Sequence, residues 1–184
     1  MIELDMDYLA QKARSIYQQP NAPRILIYDV ETTLLTAQLF GLGKQVVRHN
    51  QLVPGGSRWG IICINYVWLH EGDIKCIRWD PKIGLQGVIS QFDVVVKQAD
   101  HVIGKNSDQF DNKMVNAARM FSGLPGLPEW TKYTDDLEKQ MRRYFRLPSQ
   151  SLDYISDQLG LGVKDKMDFS DWVAIGRWMD VVQL

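Results

Sequence analysis

The 184-residue chain, 45% apolar and 23% charged, has the composition of one globular domain with a substantial core. A formal net charge of −1 supplies no global attraction to a polyanion, so an anionic partner would have to be held by a local basic patch or through cations. The opening stretch MIELDMDYLAQKARSIYQQ lacks the uninterrupted apolar centre of a signal peptide, and no apolar run reaches the ~18 residues that cross a bilayer. With Cys63 and Cys76 in apolar, strand-like surroundings, the expectation is a cytosolic chain with two buried thiols, a cross-strand disulfide being the less favoured alternative.

Residues 3–18 carry Leu4, Tyr8, Ala13 and Tyr17 on a loosely helical period, ended by Gln-Gln-Pro-Asn-Ala-Pro, and are read as an N-terminal helical arm within 1–22. A domain over 23–184 follows. Its first strand is expected at Arg24 to Val30, with a Gly-rich loop after it around Gly41 and Gly43. The segments WGIICINYVWL (59–69) and IKCIRW (74–79), joined by His70-Glu71-Gly72-Asp73, predict two more strands and an antiparallel meander. Trp59, Trp68 and Trp79 belong to these strands and are assigned to the core.

Gly87 to Gln98 predicts a helix with Val88, Phe92, Val95 and Val96 inward, and HVIG from His101 a short buried strand, so the sheet is expected to be mixed, with one crossover. A helix from Gln109 to Phe121 is expected to start just past the capping segment Asn106-Ser107-Asp108, with Phe110 anchoring the turn. The loop 123–128 punctuates, and helices at about 136–146 and 151–159 follow. The tail KDKMDFSDWVAIGRWMDVVQL is amphipathic. There is no internal repeat and no low-complexity segment.

The chemistry-bearing feature of this pattern is ILIYDVETT (25–33), where two acids interrupt the end of an apolar strand. Alternate strand residues face one side, about 7 Å apart, so Asp29 and Glu31 point together. Carboxylates so placed need a proton, a basic partner, solvent or a metal. A further pair of acids, Asp108 and Asp111, follows HVIG at a helix start, where the positive end of the helix already favours negative charge. Lys139, Arg142, Arg143 and Arg146, spaced i, i+3, i+4 and i+7, gather four positive charges on one helix face, as a phosphate-contacting stripe or as a solvated face. Phe40 and Trp130 are further candidates for stacking on a terminal base.

An apolar strand ending in Asp-x-Glu-Thr, followed some eighty residues later by ADHVIGKNSDQFD, resembles the 3′–5′ exonucleases of the DEDD superfamily, of phage and DNA-polymerase proofreading type. The similarity runs over residues 24–164 and includes SLDYISDQLGLGVK (151–164). It implies an α/β ribonuclease H-like fold, a mixed sheet of an antiparallel meander plus a parallel strand flanked by helices. It also implies hydrolysis of phosphodiester bonds at the 3′ end of single-stranded DNA with two Mg²⁺ or Mn²⁺ ions. Asp29 would bridge both ions, Glu31 would hold one ion and the attacking water, and Asp111 would serve the second. Thr32, Asn106, Phe110, Lys139, Arg142, Arg143 and Arg146 are the implied nucleic-acid contacts. A replication or recombination protein is a further partner the resemblance suggests, and a bacterial host the expected compartment if the gene is of phage origin.

The family's third motif, Tyr-x-x-x-Asp or His-x-x-x-Asp, does not occur: no Tyr or His in the chain is followed by Asp four residues later. In relatives it lies past the equivalent of KMDFSDW, so the chain is expected to stop short of it. Asp165, Asp168, Asp171 and Asp180 are candidate substitutes. Three readings therefore stand: a weakened or inactive exonuclease, a nucleic-acid- or partner-binding domain without activity, and an endonuclease with related metal chemistry.

Overall fold

A computed structural model describes residues 6–19, 21–39, 46–53, 59–124, 134–162 and 168–182. Helix α1 (Met6–Tyr17) precedes β1 (Ile25–Thr32), β2 (Ile61–Trp68) and β3 (Lys75–Arg78). Then come α2 (Gly84–Val96), β4 (His101–Gly104), α3 (Asp111–Phe121), β5 (Thr134–Asp136), α4 (Leu137–Tyr144), α5 (Leu152–Gln158) and α6 (Phe169–Val182). The Gly-rich loop around Gly41 and Gly43 lies outside the described residues, as do Phe40, Trp130 and Asp165.

The five strands form one sheet in the order β3-β2-β1-β4-β5. β1, β2 and β3 pair antiparallel, as the meander predicts, while β4 runs parallel to β1 and β5 parallel to β4. This is the expected ribonuclease H-like α/β architecture, with two corrections. The chain makes two helix-containing connections between parallel strands rather than one, because Thr134–Asp136 adds a fifth strand at the β4 edge. β1 also runs to Thr32 instead of stopping at Val30, since β2 continues alongside it, with a register irregularity between Glu31 and Thr32.

Alternation along β1 divides the sheet into two unlike faces. Leu26, Tyr28 and Val30 are buried, whereas Ile27 and Glu31 are half-buried and Asp29 is exposed. The buried side meets α2, whose Val88, Ile89, Phe92 and Val96 recur at helical spacing; Val95, expected inward, is only half-buried. Phe92 stacks on Tyr28 with ring centroids 5.2 Å apart, and Val115 and Ala118 of α3 join the same core. Asp93 of α2 and Arg119 of α3 form an ion pair that ties the two helices together. Trp68 and Trp79 are buried and Trp59 is half-buried, Trp59 and Trp79 lying just outside the strands rather than within them. Cys63 and Cys76 are free, but only Cys63 is half-buried and Cys76 is exposed, so the expectation of two buried thiols fails at the edge strand β3. No described helix is long and apolar enough to cross a membrane.

The link from β4 into α3 is packed too closely for any side chain at Gly104. A β-carbon there would lie 2.5 Å from Ser107 Cβ and 2.8 Å from Ser107 Oγ, and Ser107 is completely buried. Gly104→Ala is therefore expected to destabilise the protein by about 1–3 kcal/mol, as overpacking does. A urea denaturation midpoint equal to that of the wild type would contradict this packing.

Candidate metal centre

Asp111 meets the backbone between Asp29 and Glu31 where β1 outruns β4. The last β1–β4 pair is Ile27 with Ile103, and the chain turns away after Gly104, leaving β1 without a strand partner on that side. Such backbone donors need an acceptor. Asp111, the first residue of α3 and 2% exposed, supplies one: its Oδ1 accepts the Val30 N–H at 2.8 Å. The next helix residue, Asn112, accepts a hydrogen bond from the Tyr28 hydroxyl. The N-terminus of α3 is thus fastened to β1 at two neighbouring strand positions, directly beside Asp29 and Glu31.

Electrostatics records the same proximity. Burial pushes the Asp111 carboxyl up to about 6; the bond from Val30 opposes that rise, and the negative charges of Asp29 and Glu31 add to it. The Tyr28 hydroxyl is pushed well above its ordinary range by burial first, then by Asp111, Asp108, Asp29 and Asp136. Cys63 stands opposite Glu31 in the β1–β2 register, and its thiol is pushed up to about 12 by burial, by Cys76, and by Glu31 and Asp29.

A second carboxylate organises the loop behind the site. Asp136, 4% exposed, ends β5 and caps α4: Oδ1 accepts the Asn106 N–H at 2.8 Å and the Glu138 N–H at 2.9 Å, while Oδ2 accepts the Asp108 N–H at 3.2 Å. Asn106 takes φ 59, a left-handed conformation that a short polar side chain tolerates, and this turns its N–H onto Asp136. Asp108 accepts from Asn112 Nδ2 at 2.9 Å and pairs with Lys139 of α4. The segment Asn106–Asp108 therefore is not the cap of α3. That helix starts two residues later than expected, with the half-exposed Phe110 rather than a polar residue at its cap position. Phe110 is 41% exposed and does not anchor the turn.

Asp29, Glu31 and Asp111 are thus brought to one locus, with Thr32 half-buried at the end of the same strand. The basic stripe is not maintained. Lys139 is paired with Asp108, Arg142 bonds Glu138 at 2.6 Å, and Arg143 lies over the ring of its own neighbour Tyr144 at 5.3 Å. Arg146 lies beyond the end of α4, so it does not continue the helical face. Lys105 and Arg142 together hold the Glu138 carboxyl below the usual range, and the hydrogen bond to Asp108 raises the pKa of the Lys139 ammonium. Asp168 and Asp171 are exposed at the start of α6, and the side chain of Asp180 lies outside the described set. Sequence reasoning missed Asp136. The signal was present in TDDLEK, an acid placed immediately before a helical run.

Three carboxylates offer the hard oxygen donors that Mg²⁺ or Mn²⁺ require, and their mutual repulsion is what a cation would relieve. The set fits such ions in donor chemistry and in charge. Among the described residues, however, no three His, Cys, Asp or Glu side chains stand converged as a ready cage.

No family model and no curated protein matches the chain. Among solved structures it is similar to the family B DNA polymerase from the hyperthermophilic archaeon Pyrobaculum calidifontis, with a TM-score of 0.55 at 16% identity over 83% of this chain. The chain spans 19% of that polymerase. At this identity the likeness establishes the fold, in agreement with the sheet order above.

Because the folded Asp111 carboxyl titrates near 6 and an ordinary one near 3.8, the native state binds the extra proton between those values. Stability should then fall as pH rises through about 4 to about 6, by about 3 kcal/mol. Asp111→Asn retains an acceptor for Val30 without the charge. It is expected to raise the thermal midpoint at neutral pH and to flatten this pH dependence, whereas melting curves identical to the wild type at every pH would exclude the role given to Asp111.

Proposed function

We propose that this domain is a divalent-cation-dependent 3′–5′ exonuclease acting on the 3′ end of single-stranded DNA, with Asp29, Glu31 and Asp111 holding the metal. The observation that carries this reading is the position of Asp111. A buried carboxylate at a helix start is drawn against the backbone between two strand acids, and its own ionisation is made harder by their charge. An arrangement that stabilised only the fold would be served as well by Asn. The ribonuclease H-like sheet and the order of the two motifs support the same conclusion.

When bound, Mg²⁺ or Mn²⁺ would supply Lewis-acid stabilisation of the phosphodiester oxygens and a more acidic water. Asp111 keeps one oxygen on Val30 N–H, which fixes the carboxylate's position and leaves its second oxygen as the donor. Asp29 is exposed, at the mouth of the site, where a strand terminus would approach, and Glu31 is half-buried. Lys139 and Arg142 reach phosphates only by exchanging carboxylates already paired with them, so they contribute little until substrate arrives.

A second reading, a domain that binds single strands without cutting them, is favoured by one specific feature: among the described residues no three His, Cys, Asp or Glu side chains stand close enough together to hold an ion.

The test uses a single-stranded oligonucleotide labelled at its 3′ end, with Mn²⁺ and then Mg²⁺. Labelled mononucleotide is the expected product, a circular strand should remain intact, and Asp29→Ala should eliminate release. Mn²⁺ should also raise the thermal midpoint of the wild type and leave that of Asp29→Ala nearly unmoved. Cleavage that persists in Asp29→Ala would remove the assignment, and strand binding with no hydrolysis at any metal dose would select the second reading.

A further inference from the structure

Lys139 and Arg142 are already paired, so a polyanionic strand needs another cation near the acids. The pairing of β1, β2 and β3 identifies one. Glu31 stands opposite Cys63 and Cys63 opposite Arg78, which sets these three residues in one row across the sheet; Asp29, Asn65 and Cys76 form the next row. Side chains alternate between the faces of a sheet, so both rows lie on the face turned away from Ile64 and Ile77, which pair in the core. Each row begins with an acid on β1, and one of them ends in a guanidinium on the edge strand.

Among the described residues the strands carry two Lys or Arg side chains, Lys75 and Arg78. Lys75 stands opposite Tyr66 on the core side of β3 and pairs with Glu71. Arg78 is exposed and has no carboxylate partner among the described residues. A charged side chain on an edge strand also discourages pairing with another sheet, but that role requires no particular face. Arg78 shares both its face and its row with Glu31. Two strand spacings separate their backbones, about 10 Å, and the long arginine stem shortens the gap that a phosphodiester chain has to cross. The middle strand contributes a thiol and an amide there rather than a further acid, and Cys76 is exposed beside Arg78.

We propose that the open face of β2 and β3 is the track of the substrate strand, and that Arg78 grips a phosphate of that strand on the 5′ side of the bond cut at Asp29 and Glu31. The direction of the strand rests on the reading of those acids as the cleavage site; the phosphate contact does not. A guanidinium offers a phosphate two parallel N–H donors and reads no base edge, so the track is indifferent to sequence.

The test is binding of a single-stranded oligonucleotide to the full chain, followed by fluorescence anisotropy in Ca²⁺, which takes oxygen ligands as Mg²⁺ does. Arg78→Gln is expected to raise the Kd about tenfold, through loss of a charge-assisted contact. It should also make the slope of log affinity against log salt shallower by about 0.7, the share of one phosphate on a single strand. Arg78→Lys should keep the slope and lose about threefold in affinity, because a point charge lacks the fork. Both changes are at an exposed edge position, where circular dichroism checks the fold. Saturating oligonucleotide should in addition slow maleimide labelling of Cys76 about fivefold or more, read by peptide mass spectrometry, since thiol reactivity follows access. An Arg78→Gln variant with wild-type Kd and salt slope, as edge protection alone would give, overturns the proposal. So does Cys76 labelling that saturating strand leaves unchanged, or a wild type that binds no strand. Binding with Cys76 protected but no mononucleotide released would remove the nuclease reading and leave the phosphate contact standing, whereas release by Arg78→Gln at the wild-type KM would keep that reading and remove the track.

Discussion

The candidate site depends on one hydrogen bond, from the Val30 backbone to the carboxylate of Asp111. It arises from a mismatch in strand length: β1 continues past the point where β4 ends, and an unpaired strand donor must be satisfied. Had β4 been two residues longer, its carbonyls would have met that donor and α3 would have begun farther from the two strand acids. The short parallel strand is therefore what admits a helix terminus to the middle of the sheet edge. Tyr28 and Asn112 make the attachment two-point, and Phe92 fixes Tyr28 from below.

This attachment explains why an acid rather than an amide belongs at the start of α3 only if its charge is used. Burial and two neighbouring carboxylates oppose its ionisation, while backbone bonds from Val30 and from its own N–H favour it. The balance leaves the group easily protonated. A purely structural cap is poorly served by that balance, whereas Asp136 shows what a structural acid looks like in the same protein: buried, and accepting three backbone N–H groups. The contrast between the two aspartates separates scaffolding from candidate chemistry more sharply than burial does.

Much of this was legible in the chain. The apolar runs ILIYDVET and IICINYVW, and the 3.6-residue period of Val88, Phe92 and Val96, marked three elements because those signals are local, although burial along β2 does not alternate. The spacing of Asp29 and Glu31 placed them on one side of β1. β5 was not legible: Thr-Asp-Asp has no apolar pattern and is a strand only because β4 offers it an edge. The start of α3 was misplaced for a related reason, since Asn106 and Asp108 resemble caps but direct their backbone donors to Asp136, some thirty positions away. The basic stripe held as a period only through Arg143, since α4 ends before Arg146, and it was misleading as a charge because the partner of Lys139 is thirty-one residues upstream.

The three bonds of Asp136 also bear on the order in which the molecule is assembled. The meander, α2 and β4 precede residue 105 and contain most of the apolar core, so that core needs nothing from later in the chain except α3 and Met179. The turn at Asn106–Asp108 has no comparable local support and acquires its left-handed bend only when a carboxylate made much later in the chain arrives to receive it. Asp111 follows that turn directly. The placement of Asp111 beside Asp29 and Glu31 thus rests on a contact from late in the chain, while the hydrophobic framework that withstands their repulsion is built mostly from residues before the turn.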